Sequence, residues 1–129
     1  MKIYWIRVVV AAVLFEVVLI AVTVAISLFI EVELVLPFVP PVVFVVGFPF
    51  GIWVARKPAS GLVLHGALVG VVATLIYFGL LLGQFGSLTP VIDMYGPVSF
   101  FLANALKILG CVAGAYVAAR RRVPAHAQV

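Results

Sequence analysis

Charged and polar side chains are scarce in this chain of 129 residues. It has eight Lys or Arg and four Asp or Glu, which together make 9% of the residues, whereas about a quarter is usual for soluble domains. Hydrophobic residues make up 67% of the chain. So few polar groups cannot cover the surface of a domain of this size in water. The composition excludes a soluble globular protein and a disordered chain, and it predicts an integral membrane protein.

Residues that build redox, metal and catalytic sites are also scarce. Cys111 is the single cysteine, so the chain can form no intrachain disulfide and has no CxxC pair. His65 and His126 are the two histidines, and Asp93 is the single aspartate. None of the sequence patterns of serine hydrolases, zinc proteases or nucleotide-binding loops is present. We therefore expect no enzymatic activity, no metal and no cofactor.

Four apolar segments are long enough, or nearly long enough, to cross a hydrocarbon core of about 30 Å. The second is the shortest, and prolines before it can form its first helical turn. We predict an all-α integral membrane protein, a four-transmembrane-helix bundle. It forms a single domain over residues 1–122, followed by a short disordered cytoplasmic tail over 123–129. The predicted spans are about 8–30, 38–55, 62–83 and 97–119.

The distribution of charge predicts the orientation. If all four segments cross, seven of the eight cations fall on one side of the membrane, and Glu31, Glu33 and Asp93 fall on the other. The positive-inside rule makes the cationic side cytoplasmic, so both termini are predicted to be cytoplasmic in a multi-pass protein of a plasma (inner) membrane. The net charge of +4 then reflects topology, and we expect no nucleic-acid partner. The seven cations are Lys2, Arg7, Arg56, Lys57, Arg120, Arg121 and Arg122, of which the last three are candidates for attracting anionic lipid.

Glu16 and Lys107 interrupt the first and fourth spans. Ionisable residues at this depth are costly and mark a function or a partner. Counted from Arg7 and Arg120, they lie about 13 and 19 Å into the core at 1.5 Å per residue, so the two side chains could meet. Three roles stay open: a structural pair in which Asn104 satisfies a leftover donor, proton or substrate coupling at Glu16, and contact with a charged group of another membrane protein.

Small and polar residues lie along one stripe of the first span and one stripe of the fourth, at helical spacing. Helices turn such stripes toward protein rather than lipid, because small residues allow close packing and polar groups find partners there. The stripes are therefore predicted to face the bundle interior. They consist of Ala12, Glu16, Thr23 and Ser27 in the first span, and Ala103, Lys107, Gly110 and Gly114, with Asn104 beside them, in the fourth.

Four GxxxG pairs provide a second packing signal, since such pairs let helix backbones approach closely. In the third span Gly66 and Gly70 share one face with Ala73 and Tyr77, while Gly79 and Gly83 lie on another. Two faces of small residues on one helix predict either that the helix is central in the bundle or that one of the faces contacts another chain. Internal packing is the preferred interpretation. The other two pairs are Gly47 with Gly51 and Gly110 with Gly114.

The segment 12–17, Ala-Val-Leu-Phe-Glu-Val, within a four-helix chain of this length resembles the small multidrug resistance transporters. The resemblance implies exchange of protons for a cationic drug at Glu16. The chain differs from that family in having Lys107, in lacking a tryptophan in the third span and in its strong charge bias. Our leading prediction is a small non-enzymatic polytopic membrane protein, an assembly or partner subunit or structural component, acting as a homo-oligomer or in a larger complex. The alternative is a small proton-coupled transporter that uses Glu16.

Overall fold

A computed structural model describes residues 1–122, of which 85% are helical and none lies in a strand. Four helices are long and apolar enough to span a membrane when Val32–Ala55 is counted as one. The predicted all-α fold with four helices of spanning length is therefore confirmed, and the predicted tail at 123–129 lies outside the described residues. The helices are α1 (Trp5–Ser27), α2 (Val32–Val35), α3 (Val39–Ala55), α4 (Leu62–Phe85), α5 (Thr89–Tyr95) and α6 (Pro97–Arg122), and a 3-10 turn at Leu36–Phe38 joins α2 to α3.

The helix ends differ from the ends of the apolar runs. α1 begins and ends three residues earlier than the predicted span 8–30. It begins at Trp5 because Trp5 and Arg7 are compatible with a helix, although the chain before residue 8 is not uniformly apolar. α6 continues to Arg122, since arginine is a good helix former and a cation is favourable at a helix C-terminus. α4 continues to Phe85 and ends at Gly86, whose φ of 70° is the left-handed conformation in which glycine ends helices.

α6 is the most buried of the long helices and packs against both α3 and α4. α1 packs against α3 and α4 as well, so α1 and α6 lie diagonally across the bundle. We call the end formed by residues 1–4, the turn 56–61 and Arg122 the terminal end. The opposite end holds the connections 28–38 and 86–96, including α5.

Glycines bring the backbones of α3 and α6 into direct contact. A Cβ added at Gly51 would overlap the carbonyl oxygen of Cys111. A Cβ added at Gly110 or Gly114 would overlap the carbonyl oxygens of Phe44 and Phe48. Because any larger residue would push the two helices apart, these glycines set the distance between α3 and α6.

Only one of the two glycine faces of α4 is used within the chain. An added Cβ would lie 2.6 Å from the Ala115 Cβ at Gly66 and 2.5 Å from the Ile108 Cα at Gly70, so this face packs on α6. At Gly79 and Gly83 nothing among the described residues lies within 4 Å of such an atom. The second face of α4 is therefore open.

Candidate functional site

Glu16 of α1 and Lys107 of α6 form a salt bridge in the bundle interior. The Lys107 Nζ donates a hydrogen bond to Glu16 Oε1 over 2.5 Å, and each side chain is 4% exposed. The predicted Glu–Lys pair is therefore confirmed. Because α1 and α6 lie diagonally, this pair links the two long helices that are not packed directly on each other.

An aromatic side chain completes the environment of the ammonium group. The Lys107 Nζ lies 4.6 Å from the ring centroid of Tyr77, which α4 supplies. A cation above a ring face is attracted by the ring quadrupole, and the attraction is stronger away from water. No sequence pattern assigns a role to Tyr77, although its position on the face of Gly66 and Gly70 indicates that it points into the bundle.

Asn104 does not supply the contact expected of it. Its Nδ2 donates to the Phe100 carbonyl oxygen of its own helix over 2.9 Å rather than joining the ion pair. The side chain is buried beside Lys107, so an intrahelical bond satisfies it where water cannot. Within residues 1–122, Glu16 Oε2 has no hydrogen-bond donor, which leaves one carboxylate oxygen with free acceptor capacity.

The polar stripe of α1 is only partly turned toward protein. Ala12 and Glu16 are buried, but Thr23 and Ser27 are exposed, and the Ser27 hydroxyl donates to the Val24 carbonyl of its own helix. The neighbouring helices therefore cover the first half of the stripe only, and Thr23, although exposed, borders the cleft beside the ion pair. The buried residues of α1 end at Leu19, because the neighbouring helices cover only the half of α1 nearer the terminal end.

A cleft of about 200 Å³ extends from the ion pair toward the opposite end. Thr23 and the aromatic Tyr77, Tyr95 and Phe100 contribute to its lining, which is otherwise mostly aliphatic. Burial raises the pKa of the Tyr95 phenol, so this hydroxyl stays protonated at neutral pH and can donate a hydrogen bond. The remaining lining residues are Glu16, Leu19, Ile20, Val24, Val39, Val43, Ala103, Asn104 and Lys107.

The four predicted packing glycines lie away from this cleft, between the helices. Gly66 and Gly70 meet α6, and Gly110 and Gly114 meet α3. They fix α6 against its two neighbours and so hold Lys107 at a set position in the interior. The candidate site therefore has two parts: a polar pair that is already joined, and a partly apolar cleft beside it.

The charged groups that line this site are the Glu16 carboxylate and the Lys107 ammonium. No group of three His, Cys, Asp or Glu that could hold a metal ion occurs in the described part of the chain. No protein-family model, curated protein or solved structure matches the chain.

Proposed function

We propose that this chain is a small, non-enzymatic, multi-pass membrane protein that acts as an assembly or structural subunit, with both termini on the cytoplasmic side of a plasma (inner) membrane. The observation that carries the proposal is the closed Glu16–Lys107 pair. Charges that neutralise each other inside one chain fasten its helices together and leave no net charge in the core. Such a pair is better suited to a structural subunit than to a proton-coupled site, whose carboxylate must be protonated and deprotonated in each cycle.

The energetics of α6 support this role for the pair. The predicted fourth span has nine Val, Ile, Leu and Phe residues, which together contribute about −3 to −5 kcal/mol to insertion. A lysine at the centre of a span costs about 3 kcal/mol, so Lys107 offsets most of that gain. α6 therefore depends on a partner for Lys107, and Glu16 on α1 provides it.

Two surfaces support association with other molecules. The open face of α4 at Gly79 and Gly83 would allow another helix to approach, either from a second copy or from a larger complex. Arg120 and Arg121 are exposed at the terminal end, where anionic lipid would be attracted. The bilayer itself would cover the many exposed apolar side chains of the long helices.

A double-mutant cycle tests the structural role of the pair. Glu16→Gln or Lys107→Met alone leaves the partner buried and uncompensated, which costs about 3–5 kcal/mol. Because Glu16→Gln/Lys107→Met removes both charges, it should restore part of the free energy of unfolding measured in mixed micelles, with a coupling energy above about 0.5 kcal/mol. Glu33→Gln, at an exposed acid outside the long helices, is the matched control and should unfold like wild type. Losses that simply add in the double variant would contradict a structural pair.

Proton-coupled transport through Glu16 is the second candidate, and the cleft that reaches Glu16 and Lys107 favours it. In this case Glu16→Gln should fold with normal yield in liposomes but lose pH-driven flux of a cationic dye such as ethidium. The same variant thus separates the two functions, since the structural role predicts lost stability and the transport role predicts lost flux from a stable protein.

A further inference from the structure

A second concave site lies at the terminal end, where the start of α1 meets the end of α3. This groove has a volume of about 560 Å³ and combines three cations with aromatic and aliphatic side chains. It is separate from the cleft beside Glu16. Its lining residues are Lys2, Ile3, Tyr4, Trp5, Ile6, Arg7, Val10, Trp53 and Lys57.

The cations of the groove are arranged around aromatic rings. The Nζ atoms of Lys2 and Lys57 lie 5.8 and 5.6 Å from the centroid of the same ring, that of Tyr4. The Arg7 guanidinium lies 4.2 Å from the ring centroid of Trp53. Residues that are far apart in sequence thus bring three positive charges to one site.

No acidic side chain compensates these charges. The chain has four acidic residues: Glu16 is joined to Lys107, and Glu31, Glu33 and Asp93 belong to the opposite end. Like charges held together without a counter-charge repel each other, so a bound anion would stabilise the arrangement.

Arg7 also keeps unused hydrogen-bonding capacity. Its Nη2 donates to the Trp53 carbonyl oxygen over 2.5 Å. Its Nε is shielded from solvent and has no hydrogen-bond partner in the described part of the chain. A buried unsatisfied donor is uncommon and calls for a ligand or a small shift toward one.

Arg122 and Arg120, at the same end, lie outside the groove. Arg122 donates through Nη1 to the Pro58 carbonyl oxygen over 2.6 Å and through Nη2 to the Arg56 carbonyl oxygen. The Arg120 guanidinium lies 5.0 Å from the Tyr116 ring of its own helix, on a surface outside the groove. The groove brings three cations around one concavity, which none of the C-terminal arginines lines, and is therefore better suited to hold a single anion.

We propose that this groove binds the phosphate of an anionic phospholipid, with Lys2, Arg7 and Lys57 as its ligands. Lysine and arginine are the usual phosphate-binding side chains, and Tyr and Trp favour the depth of lipid headgroups. The apolar lining at Ile6 and Val10, which are 84% and 42% exposed, is suited to the adjoining acyl chain rather than to a soluble phosphate. This site goes beyond the proposed assembly role and does not depend on it.

Intrinsic fluorescence provides the test, because both tryptophans of the chain line the groove. Full-length protein is reconstituted in two kinds of phosphatidylcholine vesicle. One contains phosphatidylglycerol brominated near the headgroup, and the other contains phosphatidylcholine brominated at the same place. Brominated phosphatidylglycerol should quench more strongly. Lys2→Gln and Lys57→Gln, both at exposed positions that tolerate substitution, should each weaken the relative association of phosphatidylglycerol about fivefold.

Arg120→Gln is the matched control, since it removes the same charge from the same end but outside the groove. It should leave the preference for phosphatidylglycerol within about twofold of wild type, because only the diffuse field of the surface changes. Equal losses in all three variants, or no preference in wild type, would overturn the proposal. Displacement of brominated phosphatidylglycerol by inorganic phosphate, but not by chloride at equal ionic strength, would identify a soluble phosphate as the ligand and overturn the lipid assignment.

Discussion

The two halves of the bundle use similar residues in different ways. In the half at the terminal end, Gly51, Gly66 and Gly114 lie against neighbouring backbones with no room for a Cβ. In the half at the opposite end, Gly83 has nothing within 4 Å among the described residues, and a cleft lies beside the ion pair. A GxxxG pair therefore permits close packing without specifying where it occurs.

The ion pair lies between these two halves. On one side of it Phe15 stacks on Phe50 at 5.4 Å between ring centroids, within the close-packed apolar core. On the other side Thr23 and Tyr95 border open space. The half at the opposite end also has a buried cluster, in which Phe78 stacks on Phe100 at 5.8 Å between ring centroids, so its open space is confined to the cleft. We infer that the cleft has room for a ligand or a rearrangement, since loosely packed regions open at lower free energy than packed cores.

A pair of glycine substitutions gives the largest expected contrast. Gly114→Val places side-chain atoms on the carbonyl of Phe48, so α3 and α6 must separate, and the free energy of unfolding should fall by about 3 kcal/mol or more. At Gly83 nothing among residues 1–122 outside the helix itself lies within 4 Å of an added Cβ, so Gly83→Val should change it by less than about 0.5 kcal/mol. Unfolding in mixed micelles measures both values.

The contrast between these glycines can fail in an informative way. If Gly83→Val were as destabilising as Gly114→Val, the open face of α4 would be packed against another molecule in the sample. Chemical cross-linking of wild type and Gly83→Val in the same micelles would then show a higher oligomer that only the wild type forms. Without such an oligomer, equal losses would contradict the division of α4 into a packed and an open glycine face.

Two positions on the stripe of α1 give a smaller contrast. Ala12 is fully buried, so Ala12→Val overpacks the interface of α1 with α3 and α4 and should cost about 1–3 kcal/mol. Thr23→Val conserves shape at an exposed position and should change stability by less than about 0.5 kcal/mol. Thermal unfolding of the two variants, compared with wild type in the same detergent, measures the difference. Equal effects would mean that α1 is packed along its whole length.

Sequence patterns predicted the features that depend on one helix at a time. Glu16 and Lys107 are the charged residues in the middle of the apolar spans, so their cost alone indicated a pair. The patterns did not distinguish Gly66 from Gly83, because helical periodicity shows which residues share a face but not what the face contacts. They likewise did not show that Thr23 borders a cleft rather than a packed interface, since a stripe continues along a helix even where the neighbouring helices diverge.

Features that join distant segments were not predictable. Tyr95 comes from the short helix of a connection, where no apolar periodicity indicates a direction. Lys2 and Lys57 are 55 positions apart, and only the packing of α1 on α3 brings both to the ring of Tyr4. The positive-inside rule placed them on the same side of the membrane, and the fold places them in the same groove.

The smallest expected effect concerns how the half at the terminal end is closed. Arg122 ties the end of α6 to the turn after α3 through the carbonyl oxygens of Pro58 and Arg56. Arg122→Gln should lower the free energy of unfolding by about 1 kcal/mol, because one partly buried charge-assisted hydrogen bond and one exposed bond are lost. Arg121→Gln, next to it and exposed, removes the same charge and should change stability by less than about 0.5 kcal/mol.

Amide exchange of the turn 56–61 localises this effect better than global unfolding does. Loss of the Arg122 bonds should raise exchange in the turn while leaving the interior of α6 protected, since Gly110 and Gly114 still hold that helix against α3. Faster exchange at Thr23 and in the connection 28–38, with the turn unchanged, would mean that loss of the Arg122 hydrogen bonds destabilises the half at the opposite end instead of the turn. The two halves would then form one cooperative unit, and the packing of α6 would transmit a change at its last residue as far as the cleft.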